Sequence, residues 1–166
     1  MRVLVVVASR HGSTLELARA MGESLQAHGV TTQIRGVDEV PLSGPGAVED
    51  FDAVVLGSAL YSQHWLADAA RFAGERSAAL RSRPVWLFSS GAVGNPSMHE
   101  GPQELSELQQ LTGAREHRIF PGRLDEDELD ADERSIVHEL GAAGGDYRDW
   151  AAVRTWAAHV ADVLHP

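Results

Sequence analysis

The chain has 166 residues, a formal net charge of −10 and no cysteine, and all 14 of its basic residues are arginine. Without cysteine there are no disulfides, thiol nucleophiles or iron–sulfur clusters; without lysine there is no Walker nucleotide site and no Schiff-base chemistry. The acidic balance opposes binding to nucleic acid or to an anionic membrane surface, and no apolar run approaches the ~20 residues of a membrane span.

Arg2 to Ala8 is almost continuously aliphatic, which predicts a strand buried on both faces. It begins so early that no signal peptide is expected, and the cytoplasm is the expected location. Thr14 to His28 carries Leu17, Ala18, Met21 and Leu25 at helical spacing and ends before Gly29. Val30 to Gly36 alternates as a strand, and a second buried strand centres on Ala53 to Gly57. One helix is then predicted, with Leu66, Ala69, Phe72 and Ala73 on its apolar face and Arg81 and Arg83 near its end. Pro84 to Ser89 reads as a strand, Leu105, Leu108 and Leu111 mark a short helix, and Arg115 to Phe120 is the fifth strand. A last helix starts near Asp149, its expected cap, and buries Trp150, Val153, Trp156, Ala157, Val160 and Leu164. Regular alternation of strand and helix predicts one α/β domain over residues 1–166, a three-layer sandwich around a parallel sheet. The acidic run DEDELDADE, residues 125–133, lacks the glycine and ligand spacing of a calcium loop and reads as a solvated face or a helix start. No pair of histidines has metal-ligand spacing, so no metal site is expected.

In such a sheet, ligands gather at the edge where strands end and helices begin. The loop SRHGST (9–14) therefore matters most. Gly12 allows a turn that a side chain would block, and Ser9, Ser13 and Thr14 surround it at a helix start, where amides and dipole favour an anion. A simple N-cap needs one hydroxyl, whereas this loop supplies three. A phosphate is the expected ligand, and the absence of lysine separates it from a P-loop nucleotide. The next loop places Ala59, Leu60 and Tyr61 where a flat heteroaromatic ring would lie, with His64 and Trp65 just beyond at the helix start and Trp65 read as cover for the sheet edge. The third loop, Ser90, Gly91, Ala92, Val93 and Gly94, is small enough for its backbone to approach the same ring.

The three stretches SRHGST, GSALYSQHW and LFSSGAVG, each following a predicted strand, resemble the flavodoxin-like proteins. The closing stretch GDYRDWAAVRTWA resembles the branch that contains the menaquinone-dependent protoporphyrinogen oxidases. The resemblance implies a five-stranded parallel sheet in order 2-1-3-4-5 with FMN at its carboxyl edge. It implies that Ser9, His11, Gly12, Ser13 and Thr14, with Arg10 in the same loop, hold the phosphate. Ala59, Leu60 and Tyr61 would line one side of the flavin, and Ser90, Gly91, Ala92, Val93 and Gly94 its pyrimidine side. A phosphorylated deazaflavin would suit the same loops.

Two function classes stand open at this point. The first is a flavin-dependent oxidoreductase, a quinone-linked dehydrogenase of the protoporphyrinogen oxidase type. The second is a flavodoxin-type electron carrier with a protein redox partner. His11 and His64 are candidates for proton transfer near the ring. Arg148, with Arg123 and Arg10, is a candidate to pair with substrate carboxylates. The acidic 125–133 run departs from the basic-hydrophobic segment of the oxidases and opposes attraction to anionic lipid. Quinone use stays possible, and the oligomeric state is open.

Overall fold

The computed structural model describes residues 1–61, 63–91, 103–139 and 141–165. The predicted loop residues Ala92, Val93 and Gly94 lie outside these.

The first strand, β1 (Arg2–Ala8), divides its side chains between two cores. Val3, Val5 and Val7 pack on one face with Leu17, Met21 and Leu25 of α1 (Ser13–Ala27) and Val153, Trp156 and Val160 of α6 (Trp150–Leu164). Leu4, Val6 and Ala8 face the other way, onto Ala69 and Phe72 of α2 (Ala67–Glu75), Leu80 of α3 (Ser77–Arg81), and Leu105 and Leu108 of α4 (Gln103–Thr112). With side chains alternating every residue, a strand that is apolar throughout must be covered on both sides. The result is the three-layer sandwich expected from the sequence.

β1 is flanked by β2 (Thr31–Gly36) on one side and β3 (Ala53–Tyr61) on the other. β5 (Val85–Ser90) and β6 (Glu116–Phe120) follow beyond β3, all parallel, in the order β2-β1-β3-β5-β6. This is the expected 2-1-3-4-5 order; the label differs only because a two-residue strand, β4 (His64–Trp65), folds back antiparallel on the end of β3. The β4 hairpin corrects the reading of His64 and Trp65 as helix-start residues. Leu60 pairs with Trp65 and Tyr61 with His64, and Gln63 takes a φ of 67° at the turn.

One other expectation needs correction. The single helix predicted after β3 is two, α2 and α3, because the chain leaves helical geometry at Arg76. There the guanidinium stacks 4.2 Å from the Phe72 ring and donates to the Val40 carbonyl. The short helix marked by Leu105, Leu108 and Leu111 is α4; its buried face runs through Leu105, Leu108 and Thr112, which leaves Leu111 exposed.

The chain crosses from β1 to β2 through α1 on one face, and from β3 to β5 through α2 and α3 on the other. Neighbouring strands β1 and β3 therefore send their chains to opposite faces, which opens a crevice at their carboxyl ends.

Between β6 and α6 the chain does not take a short turn. Residues 121–149 form β7 (Arg123–Leu124), a 3₁₀ turn (Glu126–Glu128), α5 (Ala131–Glu139) and β8 (Gly145–Asp146), which pairs antiparallel with β7. Connections in such folds usually need about 2–6 residues. The acidic run lies in this insertion, where Asp130 and Glu133 form a reciprocal cap: each carboxylate accepts the other's amide, at 2.9 and 2.8 Å. That half of the run is the expected helix start. Among the described residues, no helix is long and apolar enough to cross a membrane.

Candidate functional site

A cavity of about 790 Å³ opens at the carboxyl ends of β1, β3 and β5, within the usual range for small-molecule sites. Ser9, Arg10, His11, Ser13 and Thr14 line it from the first loop, Ala59, Leu60 and Tyr61 from the second, and Ser90 and Gly91 from the third.

The first loop leaves the start of α1 without a side-chain cap. Gly12 is the N-cap of α1, left-handed at φ 84°, and no side chain caps the helix. Ser9 Oγ accepts the Gly12 amide at 3.1 Å and closes the turn. Ser13 Oγ accepts the Arg123 amide at 3.3 Å, which ties the insertion to the loop. Among the described residues, no hydrogen bond engages the amides of Ser13, Thr14 or Leu15. Helix-start amides without a protein partner, beside the positive end of the helix dipole, are suited to a phosphate. Thr14 is buried in this wall, 2% exposed.

Tyr61 presents a flat ring to the cavity. The Arg10 guanidinium lies over that ring at 5.4 Å, and the His11 ring is 6.4 Å away. Burial is the main cause that pushes the Tyr61 hydroxyl up to about 12, with Glu133 adding to it and Arg10 opposing it. The hydroxyl is a hydrogen-bond donor throughout the neutral range.

The insertion forms the facing wall and pairs with the loop's arginine. Glu133 is buried, and its Oε1 meets Arg10 at 3.0 Å and His11 Nε2 at 3.2 Å. Asp130 pairs with Arg10 at 2.9 Å, and Glu128 with Arg123 at 3.3 Å. Gln63, Gly122, Leu124, Leu129, Ile136 and Val137 also line the cavity and were not singled out from the sequence. The available signal was the length of the segment between Gly122 and Trp150.

Two candidates fall outside. His64 Nδ1 sits 2.6 Å from Glu104 Oε2 on the exposed side of the hairpin, away from the cavity lining. Arg148 is also absent from that lining. Its guanidinium is buried between Glu16 and Asp146 and lies 4.6 Å from the centre of the Trp150 ring. Its hydrogen bonds hold the Asp146 carboxyl below the usual range, so Arg148 clamps the insertion to α1 instead of facing a ligand. Asp149 caps α6 through the Ala152 amide, as expected. Among the described residues, no three His, Asp or Glu side chains cluster as a metal site.

Behind Ser90 runs a chain that the sequence did not reveal. Trp65 Nε1 donates to Ser89 Oγ at 2.8 Å, and Ser89 Oγ lies 2.8 Å from His117 Nε2. Burial lowers the His117 ring from the ordinary 6.5 to about 4, against the pull of Glu116. The ring is neutral at pH 7 and shares one hydrogen bond with the Ser89 hydroxyl. The unfolded chain takes up this proton near 6.5 and the folded chain only near 4. The contribution to stability is therefore complete above about pH 6.5 and is lost as pH falls toward 4, by roughly 1–2 kcal/mol. In urea unfolding at pH 7 and 4.5, His117→Gln should reduce the acid loss by about that amount. An identical pH dependence in the variant would rule out this role.

Comparison with known proteins agrees with the geometry. Residues 4–150 match the flavodoxin domain family. A flavodoxin from the domain Archaea superposes with a TM-score of 0.66 at 17% identity, covering 100% of both chains. Flavodoxin 1 from Bacillus cereus gives 0.62 at 15% identity, covering 100% of this chain and 99% of the other. A flavodoxin, WrbA-like protein from Agrobacterium tumefaciens gives 0.63 at 20%, covering 99% and 97%. A comparison with curated protein sequences finds no match. With the family match spanning most of the chain and the uncapped helix start lying at the switch point of the sheet, this chain belongs to the flavodoxin domain family, a family of FMN-binding flavoproteins.

Proposed function

We propose that residues 1–166 act as one domain that binds FMN in the carboxyl-edge cavity and serves in electron transfer. The observation that carries this reading is the start of α1: a left-handed glycine cap, free amides and the buried Thr14 hydroxyl, all opening on a cavity beside an aromatic ring. Ser9, Gly12, Ser13 and Thr14 would hold the phosphate, with the flavin ring against Ala59, Leu60 and Tyr61 and approached by Ser90 and Gly91. FMN when bound supplies one- and two-electron chemistry, which the protein tunes by its surroundings. Tyr61 contributes a flat face and a protonated hydroxyl. The insertion covers the loop and limits the access of water.

The protoporphyrinogen oxidase-type reading draws less from this site. A carboxylated substrate needs available cations, and the arginines on the cavity wall, Arg10 and Arg123, already face carboxylates. Arg148 is committed elsewhere. Electron transfer to a protein or uncharged partner accords better with these pairings.

The test is purification from the native host, followed by an absorbance spectrum and mass spectrometry of the released cofactor. FMN at one per chain is the expected result. A deazaflavin would replace the cofactor but keep the pocket, and a colourless protein that takes up no added FMN would overturn the reading.

A further inference from the structure

The cavity has two unlike walls. The sheet-edge wall is made of hydroxyls, amides and Tyr61; the insertion wall is made of Leu124, Leu129, Ile136, Val137 and Ala142, with Tyr147. Ile136 and Tyr147 are also among the few large apolar residues left exposed on the described surface, and they come from different parts of the insertion. A fold whose β6–α6 connection needs only a few residues has here spent a strand pair and a helix on building an apolar face over the cofactor loops. Closing a phosphate loop does not require such a face.

Charge limits what this face accepts. The carboxylates of Asp125, Glu128 and Glu133 line the cavity against the guanidinium groups of Arg10 and Arg123. His11 faces the same Glu133. Asp125 accepts the Asp127 amide at 3.1 Å and, among the described residues, has no ion-pair partner. A bound phosphate makes the balance more negative. An anionic guest is repelled and a cationic one is attracted.

We infer that the 122–147 insertion forms a second subsite, beside the cofactor loops, for a flat aromatic molecule bearing positive charge. The apolar wall covers its rings and Asp125 faces its charge. The inference rests on the FMN reading for the identity of the neighbouring group, while the wall itself belongs to this chain.

The experiment is equilibrium dialysis of the FMN-loaded protein against methylene blue, a flat cationic dye, and against indigo disulfonate, a flat anionic one. One methylene blue should bind per chain, with affinity for the anionic dye at least about tenfold lower. Ile136→Asn places an uncharged polar group among the apolar contacts without touching the phosphate loop. It should weaken the cationic dye about tenfold and leave FMN affinity within about twofold. Asp125→Asn should weaken the dye severalfold, whereas Asp162→Asn, the same charge change on α6, should not. Equal loss in Asp125→Asn and Asp162→Asn would reduce the binding to the general attraction of an acidic protein and overturn the subsite. Equal affinity for both dyes would do the same. Titration of the apoprotein with FMN reports on the cofactor separately: failure there removes the FMN reading, while dye binding to the apoprotein still tests the wall.

Discussion

Replacing both Ser13 and Thr14 by alanine is expected to lower FMN affinity by at least about a hundredfold, while the protein stays folded. Hydrogen bonds to a charged group are worth about 1.5–3 kcal/mol each, and two hydroxyls leave together. The remaining amides at the start of α1 still attract the phosphate, so binding is weakened and not abolished. Thr14 is buried, but its hydroxyl has no described partner whose loss would unfold the loop. Ser13 Oγ accepts one amide, from Arg123, at 3.3 Å, a long bond with little to lose. Fluorescence titration of apoprotein with FMN measures the effect. Unchanged affinity in the double variant would exclude the first loop as the phosphate site.

The second large effect belongs to the fold. A Cβ on Gly57 would stand 2.1 Å from Cε1 and Cζ of Phe88 on the neighbouring strand. Phe88 has no room to yield: it is fully buried and packs edge-on to Trp156, with ring centroids 6.5 Å apart. Gly57→Ala is therefore expected to cost about 3 kcal/mol or more through overpacking, read as a fall in the urea midpoint. Combining it with Phe88→Leu should recover part of the loss, because the two changes share one space. Equal stability of Gly57→Ala and the parent would show that β3 and β5 can separate locally, against the close packing seen here.

The site was partly legible because its chemistry is local. Ser9, Gly12, Ser13 and Thr14 are neighbours in the chain, and the conformation that opens the amides depends on one glycine among them. Tyr61 and Ser90 were legible for a related reason, since residues just past parallel strands must arrive at a common edge. The opposite wall was not legible. Ile136, Val137 and Tyr147 carry no motif, and what they face depends on how β7, α5 and β8 fold back over the first loop. Arg148 shows the same limit from the other side. At the start of α6 it reads as a ligand-facing cation, yet it is held by its neighbour Asp146 and by Glu16, 132 positions away in the chain.

Sequence by itself determined the layered fold, the strand order implied by the family resemblance and the position of the glycine turn that opens α1. Period-two burial, helix caps and glycine turns act within a few residues, so their information lies in short stretches. Only the tertiary structure decided that acidic side chains of the insertion would pair with Arg10 and Arg123 and meet His11, that His117 would be held neutral behind Ser89, and that an apolar wall would face the first loop. Those outcomes depend on side chains separated by up to some 120 positions, and electrostatic pairing and burial act through distance in space.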